Sequence, residues 1–379
     1  MSRMLLSAGR YIQGPEALGE IGDHARRLGE SALLIGGRTA LSLCAPAIEA
    51  SLAAQGLSSR RELFGGISSR AEINRLAALA RDNRADCVIA IGGGSALDAG
   101  KAVAFALKSP VIVVPTTVAS DAPCSALSVI YNHEGVFESY LFLPRNPDCV
   151  LVDTTLVAQS PARFLVAGMG DALATFWESG TCARSGKPNP LTEGGQQTLA
   201  TRALARLCYD TLREWGLQAK LAVERGVVTP AVEAIVEANI LLSGLSSENG
   251  GHAGAHSIHN GLTTLAATRN RLHGEKVAFG VLAQLVLEGK SAREIQEVQE
   301  FCCAVGLPIC LAELDLAEPS RAEIRQVAEA AVAPGETIHA TWFPVTATQV
   351  EAAIWTADAL GSAFRTALRP SNPSTHFAP

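Results

Sequence analysis

The chain has 379 residues, beyond the usual ceiling for one hydrophobic core, so two domains are expected. It is 48% hydrophobic with few aromatics, and its formal net charge of −6, with no Lys/Arg stripe interleaved with aromatics, argues against a nucleic-acid partner. No segment approaches the ~20 apolar residues of a membrane span, and the N-terminal MSRMLLSAGRYIQG lacks a signal-peptide core, so no membrane association and a cytoplasmic location are expected.

The first half alternates short aliphatic runs with helical stretches. SALLIGG (31–37), DCVIAIGGG (86–94), PVIVVPTT (110–117) and DCVLVDTT (148–155) read as strands, with RAEINRLAALARDN (70–83) and SALDAGKAVAFALK (95–108) as helices between them. Near-continuous apolar strands separated by helices are the sequence form of a parallel sheet covered on both faces, so residues 1–160 are predicted to form a Rossmann-like α/β domain. From about residue 162 the strand signal fades. Stretches at 162–184, 194–224, 229–247, 275–288, 292–305, 320–333 and 347–367 carry helical spacing, which predicts an all-helical domain over 161–368. The boundary falls at QSPARF, where Ser160 can cap a helix with Pro161 in its first turn. The Pro/Ser-rich 369–379 reads as a frayed tail. Nine cysteines without a CxxC pair read as buried free thiols.

Four stretches carry chemistry. IGGGSALDAGK (91–101) joins a strand to a helix, where backbone N–H groups and the helix dipole can hold a pyrophosphate, although it matches neither standard glycine fingerprint and can also be a plain tight turn. In PTTVASDAPCSALSVIYN (115–132), Thr116, Ser120 and Ser125 can hydrogen-bond a cofactor and Asp121 can face a polar substrate; each is equally at home as a turn residue. AGMGDALATFWES (167–179) places Asp171 after Gly170 at the expected start of a helix, where an acid also satisfies the helix dipole. In GHAGAHSIHNG (251–261), His252, His256 and His259 form one stripe if the segment is helical, and RLHGEKV supplies His273. An Asp with two His is a mixed N/O donor set suited to Zn²⁺ or Fe²⁺, and three protein ligands leave a position open for substrate.

In their order and spacing, IGGGSALDAGKA, PTTVASDAPCSALSVIY, GDALATFWE, HAGAHSIHNGLT, HGEKVAFG and GETIH resemble the glycerol dehydrogenases of the iron-containing (group III) alcohol dehydrogenase superfamily, from about residue 5 to 365. The resemblance implies a dehydroquinate synthase-like architecture and a homo-oligomer, often an octamer. It implies that Asp171, His256 and His273 ligate a divalent metal, usually zinc with iron the lesser choice. Gly93, Gly94 and Ser95 would wrap the phosphates of a nicotinamide dinucleotide, with Thr116, Ala119, Ser125, Leu127 and Tyr131 lining it, and Asp121 would contact glycerol. The fourth ligand of many superfamily members, a His one turn after the Asp, is replaced here by Thr175. His259 is open to a proton-relay role or a hydrogen bond behind the metal, and His252 is taken as incidental. The implied reaction moves a hydride from glycerol or a related vicinal diol to the cofactor and yields dihydroxyacetone.

Alternatives remain on the same fold. A reductase of a small hydroxyketone or 2-keto acid fits the same residues, and a catalytically dead nucleotide- or metal-binding sensor is a second possibility. Enzymes of phosphorylated substrates are disfavoured, because the VASDAPCSALS loop offers Asp121 where a Lys or Arg is needed. The strand end LLIGGRT places Gly37 where NAD-using members carry an acid, with Arg38 beside it, so NAD is the expected cofactor and NADP stays open.

Overall fold

The computed structural model describes residues 2–134 and 137–368; the expected frayed tail at 369–379 lies outside the described residues. Among the described residues there are eight strands: β1 (Tyr11–Gly14), β2 (Ser31–Gly36), β3 (Ser58–Leu63), β4 (Cys87–Gly92), β5 (Val111–Pro115), β6 (Leu127–Tyr131), β7 (Phe137–Phe142) and β8 (Cys149–Asp153). Between them lie α1 (Ile21–Ala25), α2 (Arg38–Ala54), α3 (Arg70–Asp82) and α4 (Gly94–Leu107). After β8 the described chain is helical: α5 (Thr154–Ala158), α6 (Ala162–Ser185), α7 (Leu199–Val223), α8 (Pro230–Glu237), α9 (Ser243–Gly250), α10 (Gly254–Leu262), α11 (His273–Leu287), α12 (Ala292–Val305), α13 (Arg321–Ala331) and α14 (Ala347–Leu368). A Rossmann-like sheet followed by a helical half is the expected fold.

Six strands form one parallel sheet in the order β1-β8-β5-β4-β2-β3, and β6 and β7 form an antiparallel hairpin. The sheet's two faces are filled by alternate residues, as the two-residue side-chain period requires. Leu34, Ile89, Ile91, Ile112 and Leu151 pack under α2 with Cys44, Ile48 and Leu52. Leu33, Ile35, Val88, Ala90, Val113 and Val150 face the other way, into a core continuous with the helical half. Chain order reverses between β2 and β4, which are hydrogen-bonded neighbours, and this opens a crevice at their carboxyl ends.

Three local expectations are corrected. Ser160 does not cap α6: its hydroxyl donates to the Val157 carbonyl at 2.8 Å and Pro161 occupies the N-cap. Asp171 lies in the middle of the 24-residue α6 instead of at a helix start, so dipole compensation does not explain it. The stretch 229–247 is two helices joined by a π-helical turn, Ala238–Leu242. All nine cysteines are free, as expected.

Helix α6 approaches its neighbours at backbone contact. A Cβ on Gly274 would lie 1.7 Å from the Ala167 carbonyl oxygen, and one on Gly168 would lie 1.9 Å from the Val118 oxygen. Both obstacles are backbone, so neither can step aside. Gly274→Ala should therefore destabilise the protein by at least about 1–3 kcal/mol. Gly180→Ala, on an open stretch of the same helix with nothing within 4 Å, should be neutral or stabilising by about 0.4–1 kcal/mol. Denaturant midpoints of the two variants give the comparison; an unchanged Gly274→Ala would disprove the contact.

Candidate active site

The residues expected to face a nucleotide gather at the crevice. Gly37 is the N-cap of α2, directly after β2, and Gly93, Gly94 and Ser95 form the start of α4, directly after β4. Gly92 has φ 146, a conformation that L side chains rarely adopt. The turn is closed by the Thr116 amide donating to the Gly92 carbonyl at 2.9 Å. Thr116, Ala119, Asp121 and Ser125 follow β5 in one loop, and Leu127 and Tyr131 bound the first strand of the hairpin. The loop is held from beneath by Lys101, which is 1% exposed. Its ammonium donates to the carbonyls of Ala122 at 2.8 Å, Ser125 at 3.3 Å and Leu127, and pairs with Asp98 at 3.0 Å. Lys101 is thus a brace for the loop, its ammonium committed to the loop carbonyls and Asp98.

Asp121, Ser125 and Leu127 line one cavity together with Ser247 and His252. Ser243 donates to Asp121 Oδ2 at 3.1 Å. Burial, with the neighbouring Asp171 charge, pushes the Asp121 carboxyl above its ordinary value.

Asp171, His256 and His273 come together from three helices, with one donor atom from each within 4.8 Å of the others. Asp171 is 2% exposed. Its Oδ1 lies 3.3 Å from His256 Nε2 and 3.1 Å from His273 Nε2, and its Oδ2 accepts the Asp121 amide at 3.2 Å.

The neighbours assign the tautomer of each ring. Buried Glu178, seven residues after Asp171 on the same helix, stands 2.6 Å from His256 Nδ1. The Asn260 amide nitrogen donates to Glu336 at 3.0 Å, which leaves the Asn260 oxygen to accept from His259 Nδ1 at 3.0 Å. His259 Nε2 then accepts from His273 Nδ1 at 2.9 Å. Both His256 and His273 are left, in their neutral forms, with bare Nε2 atoms aimed at a carboxylate oxygen. Three converging lone pairs repel unless a cation lies among them or protons do, so this donor set fits a divalent cation.

Without a cation, protons take that part. Burial alone would raise Asp171, but His273 and His256 outweigh it and hold the carboxyl well below the usual range. Burial alone would lower His256, but Glu178 and Asp171 hold its imidazole well above the ordinary histidine value. Burial, then the neighbouring His273, pushes His259 well below it.

The stripe expected of three histidines is only partly present. α10 begins at Gly254, so His256 and His259 lie on it while His252 precedes it. His252 is not incidental to the site: its Nε2 lies 2.8 Å from Ser247 Oγ, and its ring meets that of His256 edge-on at 3.8 Å between centroids. Thr175 donates its hydroxyl to the Ala172 carbonyl at 2.8 Å, satisfied within its own helix. Arg38 is exposed at the first position of α2. Sequence reasoning missed Glu178, which its i+7 spacing from Asp171 could have flagged. It also missed Glu248, whose carboxylate accepts the Ala126 amide at 2.7 Å and an Asn146 amide hydrogen at 2.5 Å, and for which no sequence signal exists.

A dinucleotide-type crevice beside a buried Asp/His/His cluster defines a metal-dependent dehydrogenase architecture. Residues 8–154 match the iron-containing alcohol dehydrogenase family. The chain is 50% identical over 364 residues to a glycerol dehydrogenase of Pseudomonas putida, covering 96% of this chain and 99% of that one. It is 46% identical to a glycolaldehyde reductase of Halobacterium salinarum, covering 96% and 100%. The crystal structure of a glycerol dehydrogenase from Schizosaccharomyces pombe superposes with a TM-score of 0.94 at 36% identity, covering 98% and 94%. The chain belongs to the iron-containing alcohol dehydrogenase family, and it is an alcohol dehydrogenase.

The raised His256 group has a pH consequence. Its contribution to stability is present in full below the ordinary histidine value of ~6.5 and is lost as pH rises through the folded value. In chelator-treated protein, the stability gap between the parent and His256→Ala should therefore narrow as pH rises from about 6 to 10. Denaturant midpoints across that range measure it, and a gap that widens would refute the assignment.

Proposed function

We propose that this enzyme transfers a hydride between glycerol, or a related vicinal diol, and a nicotinamide dinucleotide, forming dihydroxyacetone from glycerol. The observation that carries the reading is the position of Asp121: its backbone amide is bonded to Asp171 while its side chain lines the adjoining cavity. Residues 1–160 serve as the dinucleotide-binding unit and 161–368 as the unit that holds the cation and substrate. Relatives of near-equal length named for glycerol and for glycolaldehyde support a small hydroxylated substrate.

Asp171, His256 and His273 would hold the cation, zinc or iron. When bound, the cation supplies a Lewis acid that makes an alcohol hydroxyl acidic near neutral pH, and the nicotinamide supplies the hydride acceptor. The chain's own groups do the rest. Gly93, Gly94 and Ser95 offer backbone N–H groups at the start of α4 to the pyrophosphate. Thr116, Ala119, Ser125, Leu127 and Tyr131 line the cofactor on the loop and hairpin, and Gly37 lies at the adenosine end. Asp121, oriented by Ser243, accepts a hydrogen bond from a hydroxyl that is not being oxidised. His259 keeps its proton at Nδ1 and accepts the His273 Nδ1 proton's hydrogen bond, which holds that ring in place. An amide at Asn260 ends the chain, so the geometry favours positioning over a proton relay.

Asp171→Asn should abolish turnover and cation content in a protein that stays folded, measured by metal analysis beside circular dichroism. Asp121→Ala should lower kcat/KM for glycerol roughly ten- to a hundredfold more than for a monohydroxy alcohol, the worth of a charge-assisted hydrogen bond. A panel of glycerol, 1,2-propanediol, ethanol, glycolaldehyde and hydroxyacetone gives that ratio and separates a diol dehydrogenase from a carbonyl reductase. Equal losses across the panel would make Asp121 structural.

Cofactor choice rests on the end of β2. A Cβ at Gly37 would meet nothing within 4 Å, so an acid is accommodated there. We expect the parent to turn over both NAD and NADP, and Gly37→Asp to shift kcat/KM toward NAD by about ten- to a hundredfold. A parent that rejects NADP a thousandfold or more, unaltered by the substitution, would show that this position does not set the choice.

A further inference from the structure

Helix α10 carries His256, yet its N-cap, Ala253, offers no side-chain acceptor to the amides of the first turn. The acceptor comes from another helix. Glu178 Oε1 accepts the Ala253 amide at 2.8 Å and the His256 amide at 3.0 Å, while Oε2 accepts from His256 Nδ1 at 2.6 Å. His252 Nδ1 lies 3.7 Å from Oε2, beyond hydrogen-bond distance, so that oxygen is left to His256. The carboxylate is 1% exposed.

We propose that Glu178 is a positioning residue for the reaction: one buried carboxylate caps the helix that presents His256 and fixes that ring with its proton on Nδ1, so that Nε2 faces Asp171. The proposal rests on the reading of Asp171, His256 and His273 as a cation site. An ionised carboxylate only accepts hydrogen bonds, so both of its oxygens are matched here to donors. A bare Nδ1 would set a lone pair against Oε2 at 2.6 Å. The ring therefore has one acceptable neutral form, and in that form Nε2 is free to ligate.

A glutamine in the same place has the same shape and the wrong donors. With its oxygen on the two backbone amides, its NH₂ faces Nδ1 and drives the ring proton to Nε2, which can then no longer ligate. Turned over, its NH₂ opposes two N–H groups. Either way one half of the arrangement fails, although volume and fold are kept.

The test is zinc affinity by chelator competition in the parent, Glu178→Gln and Asp171→Asn, with circular dichroism to confirm the fold. Glu178→Gln should bind zinc ten- to a hundredfold more weakly than the parent, and kcat should fall with zinc occupancy. Parent-like zinc affinity in Glu178→Gln would overturn the proposal. Nitrogen-15 NMR of the imidazoles in the zinc-loaded parent reads the ring without any substitution: a proton on His256 Nδ1 is expected, and zinc bound through Nδ1 would also overturn it. Zinc affinity unaffected by Asp171→Asn would instead overturn the cation-site reading, and this proposal with it.

Discussion

The site depends on the backbone contact of α6 with two neighbours. Gly168 lets the Val118 carbonyl touch the helix, and Gly170 and Gly274 let α6 and α11 meet with no side chain between them. Asp171 and His273 flank that second contact by one residue each. Their separation is therefore set by main chain, which is stiffer than any packing of side chains. Arg163 closes the same junction, with two hydrogen bonds of 2.7 and 2.8 Å to Glu275 on the first turn of α11. The Val118 contact matters as much, because Asp121 lies three residues further along that loop. Asn239 secures it by donating to the Val118 and Leu165 carbonyls at 3.1 and 2.9 Å. One helix thereby positions the acid of the cluster against both the loop that carries Asp121 and the second imidazole.

Given that scaffold, the chemistry is set by hydrogen bonds that run outward from the cluster. Each ring has one nitrogen committed to a partner behind it, Glu178 for His256 and His259 for His273. Commitment on one side leaves the other nitrogen to the site. The two supports differ in kind. Glu178 is an ionised acceptor that strengthens the basicity of its ring, whereas His259 is kept neutral by burial and by the adjacent His273. Strong support on a buried ring and weak support on a more open one leave the three donors unequal, with the His273 side chain the most exposed at 40%.

The parallel sheet was legible because its central strands are apolar on both faces: Leu33, Leu34 and Ile35, or Val88, Ile89 and Ile91, need no alternation to declare themselves. The edges were not. β3 reads SSRREL and is largely exposed, so no apolar run marks it, and the hairpin's β6 alternates only every second residue in a loop dominated by Gly-free small residues. α2 was missed because Pro46 lies inside it and its N-cap, Gly37, offers no capping side chain. Of the candidate site, the glycine turn and the Asp/His/His cluster could be found, since residue type alone advertises them. Asp171 was misplaced along its helix because Gly168 and Gly170 look like a helix start in sequence, whereas in space they are contact points. Lys101 carries no such mark, and Glu178 only its seven-residue spacing from Asp171; an acid and a lysine in helical stretches read as solvated faces until burial shows otherwise.

The arrangement of exposure around the cluster decides from which side a substrate can arrive. Glu178 is at the back, sealed by the start of α10, and Asp171 is covered by α6 itself. The His256 side chain is 13% exposed and that of His273 40%, so the cluster is most open on the His273 side, while Asp121, whose amide is bonded to Asp171, lines a cavity with Ser247 and His252. That cavity also borders Ser125 and Leu127, which belong to the loop and hairpin beside the glycine turn of α4. On the proposed reading, Asp121 would take one hydroxyl of the substrate and the cluster the other. Two polar anchors so placed would favour a small polyol over a monohydroxy alcohol, whichever cation the cluster held.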